Sequence, residues 1–319
     1  MRLLRYLQRV PWVRELTMLP VLILLIAILA IFEPTILSPG NLQNVLGQST
    51  VVGIAAIGAT FVILTGGIDL SVGSTIGASG VATAVVMSAT GSIAFGILAG
   101  LVVGAGVGFV LGSLIHRLNL VPFVVTLAGM FVVLGATVLL SNGATISGLP
   151  TAFTGISVVT FAGLPVLVIV TIGLYVVAQL VLSLTAWGRR VILLGASRKT
   201  SVISGSPVAG VEISVYVVAG LFSAIAGVAL TANLFAANAS MGSNFLLNVI
   251  GAVVLGGTSL FGGRGSVTRT AIGVLLLGFL SNGMNILGLA SYDQVAVTGL
   301  VILAAACLDA LIHRSRRAA

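Results

Sequence analysis

The sequence predicts an all-α polytopic membrane helix bundle of about ten transmembrane helices with both termini cytoplasmic, and three observations carry that expectation. Of 319 residues, 58% are hydrophobic and only 6% charged, with a mean hydropathy of +1.26, so a water-soluble fold would lack a polar surface. Apolar stretches recur along the whole chain at about the ~20-residue length that crosses a ~30 Å hydrocarbon core. Threading them alternately places all fourteen Lys and Arg residues on one side, as the positive-inside rule requires.

The stretches fall near 17–33, 45–67, 72–90, 93–115, 121–141, 163–185, 211–235, 244–260, 270–288 and 293–312, within a single membrane domain of 1–319. The first follows a basic cytoplasmic segment, 1–16, with Arg2, Arg5, Arg9 and Arg14, and Glu33-Pro34-Thr35 follows it instead of a small-residue cleavage site, so it reads as a retained helix. The second and third are divided by Gly66-Gly67, and the eighth is interrupted by Gly256-Gly257 and Gly262-Gly263, which mark broken or re-entrant helices. The fourth carries Gly100, Gly104, Gly108 and Gly112 at a four-residue interval, a small-residue groove suited to close packing against a neighbouring span or a second subunit. Arg117 precedes the fifth, and the sixth leads into the largest internal loop, 186–210, with Arg189, Arg190, Arg198 and Lys199. Arg264 and Arg269 precede the ninth, and Arg314, Arg316 and Arg317 follow the tenth.

The net charge of +8 is thus an orienting device and a contact for anionic lipid, with no nucleic acid implied. The single cysteine, Cys307, lies in the last span, which excludes a disulfide framework or a thiolate metal site. The longest stretches outside the membrane run to about twenty residues, too short for a soluble domain that could supply energy.

Only six acidic residues exist. Glu15 sits in the basic N-terminal segment, Glu33 and Asp293 at external span ends, and Glu212 and Asp309 at internal ends, leaving Asp69 as the carboxylate nearest the membrane interior. Ion coupling calls for several buried ionisable groups. His116 and His313 both lie at cytoplasmic positions, and no cluster has metal-site or nucleophile–base spacing, so proton coupling and catalysis are both disfavoured. In VILTGGIDLSVGSTIG at 62–77, two glycines end one helix while Asp69 and Ser71 are good N-cap residues for the next. Asp69 is either that cap or a polar constriction on a transport route.

A second constellation comprises VVLGGTSLFGGRGSV at 253–267 and SNGMNILG at 281–288. Its glycines lack the lysine and the preceding strand of a phosphate-binding loop, so a tight cytoplasmic turn is expected. Asn282 and Asn285 share a helix face and, with Asn248 and Thr258, line a polar path or form interhelical hydrogen bonds.

The chain resembles the membrane-spanning permease subunits of bacterial ABC importers for simple sugars, of the ribose/xylose/galactose type. The resemblance rests on TGGIDLSVGS at 65–74, PFVVTLAGMF at 122–131, WGRRVILLGAS with Ser204-Gly205 at 187–205, and the two constellations at 253–267 and 281–288. It implies ATP-driven import of a monosaccharide or small polyol across the inner membrane by alternating access. It further implies a cytoplasmic ABC ATPase that binds ATP and Mg, a periplasmic or lipid-anchored sugar-binding protein, and a second permease copy or homologue. No cofactor or enzymatic activity is expected of this chain itself. Three places depart from the family pattern: Leu246-Leu247-Asn248 where acidic residues are usual, Thr268-Arg269-Thr270 where a Gly-Thr pair is usual, and Thr200-Ser201-Val202-Ile203 ahead of Ser204-Gly205.

The 186–210 loop, through Arg189, Arg190, Arg198, Lys199, Ser204 and Gly205 and the apolar run Val191-Ile192-Leu193-Leu194, is expected to dock the ATPase by a short amphipathic helix. External loops have no Lys or Arg, so Glu33 and Asp293 are the charges that meet a binding protein. Competing functions are import of a signalling furanose, nucleoside or branched-chain amino acid, and passive facilitation without a partner.

Overall fold

The computed structural model describes residues 18–317, with side chains through Ala305 and at Cys307. The predicted segment 1–16 and the side chains of Asp309, His313, Arg314, Arg316 and Arg317 lie outside the described residues.

Twelve helices of six residues or more are described: α1 Leu19–Phe32, α2 Pro39–Leu64, α3 Val72–Thr90, α4 Ile93–Arg117, α5 Pro122–Ser141, α6 Val166–Leu184, α7 Ala186–Ala196, α8 Arg198–Ile203, α9 Val208–Leu234, α10 Phe245–Leu255, α11 Val267–Ile286 and α12 Ser291–Arg317. A two-residue hairpin, β1 Thr160–Phe161 and β2 Leu164–Pro165, pairs Phe161 with Leu164 across Ala162 and Gly163, whose φ values of 52° and 79° fit a tight hairpin turn. Starts and stops follow local chemistry. Ser38 Oγ accepts from the Asn41 N–H at 3.3 Å, with Pro39 in the first turn of α2. Gly91, at φ +67°, closes α3 by donating its N–H to the Met87 carbonyl at 2.9 Å.

Among the described residues seven helices, α2, α3, α4, α5, α6, α9 and α11, are long and apolar enough to cross a membrane, and α1, α10 and the Ser291–Ala305 part of α12 are shorter apolar helices, where the sequence predicts ten spans. The differences are local. α1 has 14 residues because Glu33-Pro34 ends it, about 21 Å at ~1.5 Å per residue. α10 has 11 residues, about 16 Å, because the chain from 236 to 244 is non-helical and Gly256-Gly257 stops it. The predicted 244–260 span is therefore a broken passage: Ala237 pairs with Ile146 at one end of the bundle, and the turn after α10 donates the Gly263 N–H to the Leu64 carbonyl at the other.

α2, α3, α9 and α11 form the interior, while α4, α5 and α6 turn large apolar side chains outward. The glycine stripe on α4 faces inward against α9. A Cβ at Gly104 would land on the Gly220 carbonyl, one at Gly108 on the Tyr216 carbonyl, and one at Gly220 on the Gly104 carbonyl. Of the two partners open to that stripe, a neighbouring span occupies it.

Turns gather at two ends. One, the basic end, brings together the stretch after α2, the α4–α5 turn, α7–α8 and the 256–266 turn, through Gly263 to Leu64, Thr126 Oγ1 to the Ile68 carbonyl at 3.1 Å, and Arg198 to Glu212. At the opposite end Gln43 Nε2 donates to the Gly163 carbonyl at 2.7 Å, and Asn41 meets Asn282.

Candidate functional site

Gly66, at φ +80°, turns the chain after α2 back into the bundle, and residues 67–71 run without regular structure, Ser71 already in the helical region, before α3 begins. The depth of this break follows from its neighbours. A Cβ on Gly67 would meet the Tyr216 hydroxyl, while Gly73 and Gly77 lie against the backbones of Gly242 and Ala239. Tyr216 is already two turns into α9, so α3 starts inside the bundle, where it meets the non-helical approach to α10. Two interrupted segments thus face each other in the interior, as discontinuous helices do around transport sites.

Asp69 lies in this break, 8% exposed. Its Oδ1 accepts from the Ser71 N–H at 2.8 Å and from the Ser71 hydroxyl at 2.6 Å. Ser71, 1% exposed, occupies the N-cap position of α3, but its hydroxyl turns to Asp69 instead of capping, and its carbonyl accepts from Thr75 N at 2.8 Å and Ser74 Oγ at 2.9 Å. The aspartate therefore shapes the turn that launches α3 through a local Asx turn.

At the basic end, Glu212 in the first turns of α9 gathers a guanidinium and an imidazole. Arg198 donates Nη1 to Oε1 at 2.7 Å and Nη2 to Oε2 at 3.1 Å, and His116 Nδ1 lies 2.8 Å from Oε2. The fork geometry is the strong, directional form of the pair, and it holds the Arg198 guanidinium above its ordinary pKa. One carboxylate so ties α8, α9 and the end of α4.

The predicted coupling loop 186–210 folds as α7 and α8, capped by Thr185 and Ser197, whose hydroxyls accept from Gly188 N at 3.0 Å and Thr200 N at 3.1 Å. α7 is amphipathic: Gly188, Val191 and Leu194 are buried, while Arg189 and Arg190 are exposed, and Arg189 Nη1 donates to the Leu184 carbonyl at 3.2 Å. Lys199, Ser204 and Gly205 are exposed on and after α8, Ser204 Oγ donates to the Ser201 carbonyl at 2.9 Å, and Gly205 takes φ +70°. Val202 and Ile203 are also exposed, at 61% and 76%.

The four other polar candidates do not gather in one site. Asn282 and Asn41 exchange two amide hydrogen bonds, each 2.9 Å, and Asn285 Oδ1 accepts from Gln294 at 2.8 Å, both at the opposite end. Asn248 Nδ2 donates to the Asn244 carbonyl at 3.5 Å on α10. Thr258 is buried in the basic-end turn against Gly265, with its hydroxyl unpartnered among the described residues.

Sequence reasoning passed over three groups. Glu212 and His116 looked like span-end charges because their partners lie 14 and 96 residues away. Tyr216, buried beside the break, carried no local signal. Gln179, within α6, accepts at Oε1 from the Val267 and Thr268 N–H groups at 3.0 and 3.2 Å, capping α11 from another helix. A lone glutamine in an apolar span was its only mark.

The family model described as branched-chain amino acid transport system / permease component matches residues 41–306. The chain is 42% identical over 290 residues to the ribose import permease protein of Bacillus subtilis strain 168, covering 90% of each. It is 33% identical over 300 residues to the L-arabinose transport system permease protein of Escherichia coli strain K12, covering 94% of this chain and 92% of the relative. It is 35% identical over 309 residues to the autoinducer 2 import system permease protein of Escherichia coli strain SMS-3-5, covering 95% and 94%. No solved structure matches.

Proposed function

The chain belongs to the branched-chain amino acid transport system / permease component family, and on that premise we propose that it is the membrane-spanning subunit of an ATP-driven importer carrying a monosaccharide or related small polyol across the bacterial inner membrane by alternating access. The observation that carries the reading is similarity along nine-tenths or more of both chains to permeases named for ribose and L-arabinose. The chain's own chemistry agrees: among the described residues the interior offers one carboxylate, already hydrogen-bonded within its turn, and nothing that resembles an ion relay. Energy then comes from a separate ATPase.

In this reading all ten passages cross the bilayer, α1 and the 236–255 passage as short or broken spans, with the basic end and both termini cytoplasmic. Arg189, Arg190, Arg198, Lys199, Ser204 and Gly205 belong to the ATPase dock of 186–210, whose exposed Val202 and Ile203 supply the apolar contact. Asp69 and Ser71 belong to the transport route, and a second permease copy completes it. At the opposite end the binding protein meets neutral polar groups with Glu33 and Asp293, so salt affects its docking rate modestly.

Reconstitution in proteoliposomes tests the function. D-ribose or L-arabinose uptake is expected only with ATP, the ATPase and the binding protein together; uptake by the permease alone would establish a passive facilitator. The family description and the autoinducer 2 relative favour leucine and a signalling furanose as the two alternative solutes for the same assay.

A further inference from the structure

At the basic end a cavity of about 230 Å³ opens between segments distant in sequence: Thr65 and Gly67 of the break, Asn119 of the α4–α5 turn, Arg198 of α8, and Glu212 and Tyr216 of α9. Tyr216 is 1% exposed, and its hydroxyl has no hydrogen-bond partner among the described residues. A Cβ on Gly67 would stand 2.6 Å from that hydroxyl oxygen, so only glycine lets the chain pack this closely against the phenol. An unmade hydrogen bond on a buried group is costly. A buried donor that lines a cavity is a contact left for whatever enters it.

Charge selects the class of ligand. Arg198 and Glu212 are paired through both guanidinium Nη atoms, so these walls are electrically balanced. An anion entering would have to displace Glu212, and a cation would have to displace Arg198. A neutral solute with several hydroxyls meets no such conflict, because it can accept from spare guanidinium N–H groups and the Tyr216 O–H while donating to the carboxylate. Ile115 and Leu120, which also line the wall, suit the C–H face of a sugar ring.

We propose that this cavity is a solute subsite for a neutral polyhydroxylated molecule of monosaccharide size, occupied on the cytoplasmic side before release. The assignment rests on the sugar-import reading above and adds to it a residue set and a place. Arg198 stands in the segment proposed to dock the ATPase, so displacement of α8 would remove one wall of the subsite and link nucleotide state to solute release.

The test uses the complete importer in membrane vesicles. Cys307 is the chain's single cysteine, so Cys307→Ser with Thr65→Cys leaves one thiol, at the cavity wall, for a methanethiosulfonate reagent. Millimolar D-ribose is expected to slow labelling severalfold, whereas inorganic phosphate and choline leave the rate unchanged. Adding Tyr216→Phe should weaken that protection about tenfold, the loss expected for one hydrogen bond. Equal labelling with and without D-ribose, protection by phosphate instead, or full protection in the Phe variant would each overturn the subsite. The Thr65→Cys arm stands without the Phe variant. Parallel uptake measurements separate the two readings: uptake without protection overturns the subsite alone, and protection without uptake overturns import while the subsite stands.

Discussion

The two ends of the bundle use polar groups in opposite ways. At the opposite end neutral amides close on one another, Asn41 with Asn282 and Gln294 with Asn285, and bond to nearby carbonyls. Each of these contacts joins neutral groups only, and Asn282 and Asn41 engage both the oxygen and the nitrogen of their amides. At the basic end one carboxylate serves an arginine and a histidine on different elements, a tyrosine hydroxyl and the Thr258 hydroxyl have no partner among the described residues, and a cavity is open. The difference separates hydrogen bonds between neutral amides from a charged network that borders a cavity. Buried, fully paired groups rigidify, whereas incompletely paired ones are where motion and binding are found.

Substitutions can break or sharpen that contrast. The largest effect is expected from Glu212→Ala, which strands Arg198 and His116. Uptake should fall by more than tenfold and thermal unfolding should reveal a loss of roughly 1–3 kcal/mol; normal uptake would reduce the network to a surface ion pair. Gln179→Leu removes the acceptor for two first-turn amides of α11 and should cost about 1–2 kcal/mol, read as a lower unfolding temperature in detergent. Asp69→Ala should cost about 1–2 kcal/mol through loss of both Ser71 contacts. Asp69→Asn retains an acceptor oxygen and is expected to assemble normally yet lose the coupling of ATP turnover to uptake; full uptake by the Asn variant would leave Asp69 a turn-forming residue only. The smallest functional effect belongs to Asn282→Ala. It should destabilise by about 1 kcal/mol with uptake nearly intact, and a severe uptake defect in a stable protein would erase the distinction between the ends.

The all-α membrane bundle was legible because apolar period and one-sided basic residues are summed over long segments, so α3, α5 and α6 lie where hydropathy puts them. α10 was harder. Its stretch, 244–260, is apolar enough throughout, but Gly256-Gly257 and the chain before Phe245 break it, and that outcome depends on backbone contact with Gly73 and Gly77 of a helix far away in sequence. Asp69 was recognisable as a group beside a helix start, whereas its choice of Ser71 in place of the first-turn amides is a three-dimensional detail. The four polar residues Asn248, Thr258, Asn282 and Asn285 share no periodicity that fixes depth, so composition alone did not separate the amide clasp from the basic-end turn. Pairings across 96 residues, as between His116 and Glu212, leave no trace in a single sequence.

Cysteine crosslinking to the ATPase addresses most directly the claim that the basic end is where energy enters. In a Cys307→Ser background, single cysteines at Val202, Ile203 and Arg190 are compared with cysteines in the 117–121 turn and at Asn285. Efficient crosslinks from Val202 and Ile203, altered by ATP and absent from Asn285, are the expected result. Crosslinks confined to the 117–121 turn, with none from 186–210, would contradict it.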